Sequence, residues 1–303
     1  MKTLYFSLIS LILVTISCNK EIPFKGDLGN GFIVVNGIFE NDSVMKVTLS
    51  KSTPSIGEVS TAPSEISSLA NVTVTDNTSG EIFTSNSVNF KGEYEFGAKA
   101  KEGHSYSISV TYPDFKTATS KMTIPTPVQI QSCDVINIDG YNGVQEKQIG
   151  LTINDPSSEN FYGIRVLNID TLLNTKSEVA LSPDQNPKQT DNFSPFHQVY
   201  LLSDELFNGT TKKVNVYAFI YPIYNSSDTL GNTNTQETIF TPQLYQVQLY
   251  SLSKEVYNYV TSTTKAVNSN QNPLSEPVKV FTNITDGLGV FGGISSSSVF
   301  IKF

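Results

Sequence analysis

From Gly31 onward the chain is a succession of short runs in which apolar and polar residues alternate, and this period of two constrains the fold more than any other feature. GFIVVNGIF and SVMKVTLSK flank the turn residues Glu40, Asn41 and Asp42; NVTVTD, GEIFTS, GEYEFGA, SYSISVTYP and KTATSKMTIP follow, separated by Gly, Asn and Asp clusters. Every second side chain of an extended strand shares a face, so such runs become stable only by laying that face on a common core. No helix-period segment interrupts them. The expected fold class is all-β, with a sandwich as the first unit.

The junction is equally local in origin. IPTPVQI, residues 124–130, carries two prolines two positions apart, which removes backbone donors and breaks a regular element. Strands resume beyond it at KQIGLTIND, NFYGIRVLNI, HQVYLLS, KKVNVYAFIYPI and YQVQLYSLS, with long polar segments at 170–195 and 225–237 that read as contact loops. In YQVQLY, Tyr245, Val247 and Leu249 face one way and Gln246 and Gln248 the other, as in a half-buried strand. VNVYAFIYP is apolar on both faces, which fits a central strand or an aromatic strip for stacking on a ligand. One helix is expected near 253–267, with Ser253 as N-cap, Glu255 in the first turn and Val256, Val260 and Val267 at helical spacing. PVKVFTNI, GLGVFGG and SVFIKF then read as further β segments.

The N-terminal half has a family likeness. Ala70, Val72, Val74 and Asp76, then Ser79-Gly80, then Gly92-x-Tyr94-x-Phe96, then Tyr106-x-Ile108-x-Val110 resemble the order found in immunoglobulin-like or transthyretin-like modules of bacterial surfaces. The resemblance implies a fold and no chemistry. The expected organisation is a signal peptide over 1–17, a lipidated tether over 18–30, an Ig-like sandwich over 31–126 and a C-terminal β domain over 127–303.

The segment before the strands addresses the protein. MKTLYFSLISLILVTIS has a positive residue at Lys2, an apolar stretch from Leu4 to Ile16 and a small residue at Ser17, the layout of a secretory signal peptide. The stretch falls short of the ~20 apolar residues that a spanning helix needs. Cys18 follows directly, and the whole resembles the lipobox of bacterial lipoproteins, with Thr15 where that family usually has Leu, Val or Ile. The resemblance implies cleavage before Cys18 and a diacylglycerol on its sulfur; the alternative is an ordinary signal peptide with a Cys beside it. Asn19 to Asn30 is charged and holds a Pro and two Gly, so it reads as a tether reaching ~40 Å at ~3.3 Å per residue. Lys20-Glu21 resembles the charged signal that exports lipoproteins to the cell surface in Bacteroidota, and a generic polar tether accounts for it equally.

Composition excludes two partner classes. With a formal net charge of −8 and Arg165 as its sole arginine, the chain has no basic stripe for nucleic acid and no polybasic patch for anionic lipid. The membrane contact is therefore expected through Cys18 alone.

Several motifs fail on inspection. GLGVFG, from Gly287 to Gly292, matches G-x-G-x-x-G, but a dinucleotide site needs a helix opening after it and an acid ~20 positions on. Neither follows within the sequence, so these glycines are expected to allow a tight turn or a close backbone approach. His104 and His197 lie in strand-like stretches without a nucleophile elbow, and both read as ordinary strand residues. Cys133 lacks a C-x-x-C partner, no H-x-x-x-H pair exists, and CDVINIDGYNG has Val135 where a calcium loop needs its first acid. No catalytic residues, metal or cofactor are expected. Glycan binding stays open: Trp is absent, but 14 Tyr and 18 Phe can stack on sugars. Asp42-Ser43-Val44, Asp170-Thr171-Leu172 and Asp228-Thr229-Leu230 resemble a short Bacteroidota O-glycosylation signal, or are plain turn residues.

The C-terminal region carries the most specific likeness. A Leu-Ser-led helix bearing Tyr precedes Asn272, Pro273, Ser275, Glu276 and Pro277, then Asn283 and Ile284, then Gly287, Leu288, Gly289, Phe291, Gly292 and Gly293. This NPxSEP, NI and GLGxFGG order resembles the signature of a Bacteroidota lipoprotein family classed as a domain of unknown function, which often has Phe where this chain has Leu274. The resemblance implies an outer-membrane, surface-exposed lipoprotein encoded beside a TonB-dependent receptor. The expected role is a non-enzymatic accessory subunit of a TonB-dependent nutrient uptake complex; the alternative is a free-standing adhesin or glycan-binding surface lipoprotein.

Overall fold

The computed structural model describes residues 31–52, 64–65, 70–85, 88–89, 92–139, 145–170, 173–182, 199–218, 244–270, 275–276 and 278–302. Cys18, His197, Asn272, Pro273 and Pro277, the 225–237 segment, most of 170–195 and the last two acidic triplets in part or whole lie outside the described residues.

The chain is all-β with one helix among the described residues. Its first half holds β1 (Ile33–Glu40), β2 (Val44–Lys51), β3 (Ser64–Glu65), β4 (Asn71–Asp76), β5 (Ile82–Ser85), β6 (Glu93–Lys99), β7 (Ser105–Thr111) and β8 (Ala118–Thr123). The second half holds β9 (Ile130–Asp139), β10 (Gln145–Asn154), β11 (Phe161–Asp170), β12 (Thr175–Glu178), β13 (Leu181–Ser182), β14 (Tyr200–Ser203), β15 (Thr211–Ala218), β16 (Leu244–Leu252), helix α1 (Lys254–Asn270) and β17 (Gly287–Lys302). The alternation seen in sequence becomes the inward and outward faces: Ile33, Val35 and Phe39 of β1 are buried, as are Tyr106, Ile108 and Val110 of β7.

Three sheets result. The largest runs β12-β11-β16-β17-β1-β2-β3, with β14 also on β11 and β6 also on β2; the others run β13-β15-β10-β9 and β5-β4-β7-β8. Among the described residues two large cores sit between them, and a small third cluster of Phe161, Leu252, Val256 and Val260 joins α1 to the largest sheet. The first packs β1, β2, β4, β7 and β8 and takes in Ile284 and Phe291 from far along the chain. The second packs β10, β11, β15 and β16 around Tyr162, Ile164, Val166 and Tyr245.

β17 joins the two. GLGVFGG and SVFIK, separate runs in the sequence, lie in one continuous strand, Gly287–Lys302. Gly287–Ile294 pairs in parallel with the whole of β1, and Ile294–Lys302 pairs antiparallel with β16. Phe291 therefore lies in the first core while Val299 and Ile301 pack against the second.

Ile130–Asp139, which takes in the start of CDVINIDGYNG, forms the edge strand β9 on β10. Two local expectations change. The described part of PVKVFTNI forms no strand: Val278–Asn283 is irregular, and the Ser262 hydroxyl ties down the backbone at Phe281 instead. His104 sits in the turn before β7, where its Nδ1 lies 2.7 Å from the buried Asp76 carboxylate. In β15, Val216 and Ala218 are buried while Tyr217 is half-buried and Asn215 exposed; Phe219 and Tyr221 lie outside the described residues.

Candidate functional site

Among the described residues, two concave regions with exposed polar chemistry stand out. The larger is an open cleft of about 700 Å³ where the end of β8, the proline strap, the loop before β11 and the start of α1 meet. Its lining includes Lys121, Glu159, Phe161, Ser253, Lys254 and Glu255.

The loop on one side of the cleft is held by two buried acids. Asp155 accepts hydrogen bonds from the Tyr162 hydroxyl and from Gly209 N at 2.8 Å, and Asp204 accepts from Asn160 N at 2.7 Å. Buried carboxylates without such donors would be costly, so these bonds fix residues 155–160 against 204–210. Burial, reinforced by the bond to Asp155 and the nearby Asp204 charge, pushes the Tyr162 phenol far above its usual range. It remains a donor at any physiological pH.

The other side is the start of α1. Ser253 Oγ accepts from Val256 N at 3.5 Å as N-cap and also from Gly293 N at 3.2 Å, while Ser253 N donates to Gly293 O at 2.9 Å. One serine thus ends β16, begins α1 and pins β17. Phe161 stacks on Tyr257 with ring centroids 4.6 Å apart, and Lys254 pairs with Glu159 at 2.8 Å across the cleft mouth. Both lysines and both acids of the lining are balanced in sign, so the cleft offers no field that selects a strongly charged ligand. The Ser253 hydroxyl is already committed to two amides and is not disposed as a nucleophile.

The second region is a shallow groove of about 470 Å³ on the outer face of β4, β7 and β8. Strand register lines up Thr84, Thr73, Ser109, Thr119 and Thr285 in one cross-strand rank, and Thr75 and Ser107 in the next. Hydroxyls both donate and accept, so a rank of them suits a neutral polyhydroxyl ligand. The alternating Ser and Thr of NVTVTD and SYSISVTYP were the signal for this face, but only the register places them in a row.

The signature residues divide. Ser275 and Glu276 are exposed. Asn283, Gly287, Gly289, Phe291 and Gly292 converge on β17, where they form a packing junction. A Cβ on Gly292 would stand 2.4 Å from Val256 Cγ2 of α1, and one on Gly289 would stand 2.2 Å from Val35 O at a backbone φ of +98°. The glycines serve close approach, as their sequence context indicates, and the strand they lie in presents no helix N-terminus to a phosphate.

Among the described residues no group of three or more His, Cys, Asp or Glu converges to hold a metal ion. No helix among them is long and apolar enough to cross a membrane. Cys133 is half-buried, and burial together with the Asp134 charge pushes its thiol up to about 11.

A family model described as "Domain of unknown function (DUF4249)" matches residues 19–299. No curated protein matches the chain.

Proposed function

We propose that this chain, which belongs to the DUF4249 family of unknown function, is an outer-membrane lipoprotein anchored through Cys18 and facing the cell exterior. It acts without catalysis as an accessory subunit of a TonB-dependent nutrient uptake complex. What chiefly supports this reading is the position of β1: the residues after Cys18 run on in sequence into it, and it is an interior strand of the largest sheet, so an anchor at Cys18 holds the β body. The lipobox-like residues around Cys18 supply the anchor, the module-like order of residues 70–110 suits a surface protein, and the open, sign-balanced cleft beside α1 suits a protein contact better than a small charged substrate.

The test is gentle detergent extraction of outer membranes from cells carrying a tagged copy, followed by identification of what co-purifies. A TonB-dependent receptor recovered in near-equal amount is the expected result. Recovery of the protein alone would remove the reading's main prediction.

The hydroxyl rank on β4, β7 and β8 favours a second reading, a free-standing glycan-binding surface lipoprotein. Binding to a neutral glycan array that disappears in Thr73→Val with Ser109→Ala would support it; unchanged binding, or none, would count against it.

A further inference from the structure

All of β1 pairs in parallel with Gly287–Ile294, in the register Ile33↔Gly287 to Glu40↔Ile294. Parallel strands have their N-termini at the same end. A pull entering β1 at Gly31, opposed by a restraint at the far end of β17, therefore draws the two strands past each other along their length. The evenly spaced bonds of a parallel ladder share such a load, whereas a pull applied to both strands at one end opens them pair by pair.

The opposing restraint is built into the chain. β17 continues without a break into Ile294–Lys302, which pairs along its length with β16, and β16 pairs in turn with β11. Load arriving in β1 passes into β17 and spreads into the second core. Side chains hold the ladder in register. Phe291 meets Phe39 edge-on at 5.2 Å and packs over Gly37, where an added Cβ would stand 3.1 Å from its ring. Asn283 bonds both backbone groups of Phe291 on the strand's free side. At Gly289, with its backbone φ of +98°, the chain lies so close to Val35 that sliding by one residue would drive Leu288 or Val290 into that space.

We propose that the β1–β17 ladder is a load-bearing clamp, the joint through which tension between the N-terminal tether and the C-terminal body passes. The source of that tension rests on the anchored reading above; the clamp itself does not.

Single-molecule pulling on the mature chain tests it. One handle is placed at the N-terminus and the other on Lys302→Cys or on Leu288→Cys, both exposed positions, with Cys18→Ser and Cys133→Ser in each so that the handle thiol is unique. The Lys302 geometry loads the ladder lengthwise, and the Leu288 geometry peels it from the end where Val34 is its partner. The expected rupture force is at least about twofold higher in the Lys302 geometry, because forced unfolding reads the barrier along the loaded direction. A ratio below twofold, or a reversed order, overturns the clamp. Loss of receptor co-purification with the force ratio intact would fault the transporter reading and leave the clamp standing.

Discussion

Asn283 and Phe291 hydrogen-bond to each other twice: Asn283 Nδ2 donates to Phe291 O at 2.7 Å, and Phe291 N donates to Asn283 Oδ1 at 3.0 Å. A side-chain amide here does what a neighbouring strand would do, on the edge of β17 that no ladder covers at that residue. Phe291 is fully buried in the first core, so its backbone groups have no ready access to water.

Asn283→Ala is accordingly expected to lose about 2–3 kcal/mol, the cost of leaving a donor and an acceptor unpaired. Urea denaturation checks it through the midpoint. Asn283→Asp keeps the acceptor but not the donor and should fare little better. A midpoint unchanged in both would show that the amide merely accompanies the strand.

Gly292 is where α1 touches β17. Gly292→Ala places a methyl against Val256 Cγ2 and Ser253 Oγ and is expected to destabilise by about 2–3 kcal/mol through overpacking. Combining it with Val256→Ala makes room, so the double variant should be more stable than the sum of the two single losses predicts, by about 1 kcal/mol or more. Strict additivity would place the strain elsewhere.

Asp76 makes folding pH-dependent. Burial works to raise its carboxyl, but the hydrogen bonds from His104, Ser79 and Thr78 outweigh it and hold the group below its usual range. A carboxyl lowered in the folded state contributes stability that is present above its unfolded value of ~3.9 and lost as pH falls through its folded value. The stability gap between the native chain and Asp76→Asn should therefore be full at neutral pH and shrink below pH ~4. Denaturant midpoints of both proteins across that range measure it; a gap that stays constant would mean the carboxylate charge contributes nothing.

The two cysteines give a chemical count. Cys133, half-buried and with its thiol pushed up to about 11, should react slowly with a thiol reagent in the folded protein at pH 8. After denaturation of protein extracted from membranes, one thiol per chain is expected, because Cys18 would carry its lipid as a thioether. Two thiols per chain would sink the anchor.

How much of this is legible in the sequence differs from element to element. The strands of NVTVTD and SYSISVTYP follow from alternation, and the α1 start follows from Ser253, because a period and a cap are properties of a few consecutive residues. GLGVFGG was legible as a place of close approach, but not what approaches: Val35 and Val256 lie far away in sequence. His104 shows the same limit, since its alternating neighbours suggest a strand, whereas it closes a turn through its N–H to Lys101 O and sets its ring against Asp76.

The sequence by itself determined the β class, the faces of the strands and the position of the helix, because each depends on local backbone preference and the spacing of apolar side chains. Which strands become neighbours was decided only in three dimensions. Backbone hydrogen bonds are alike for every residue, so nothing in the run Ile33–Glu40 names Gly287–Ile294 as its parallel partner. That pairing is selected by burial, when Phe291 and Ile284 fill the first core beside Phe39 and Ile33, and it makes one strand the seam between both halves of the protein.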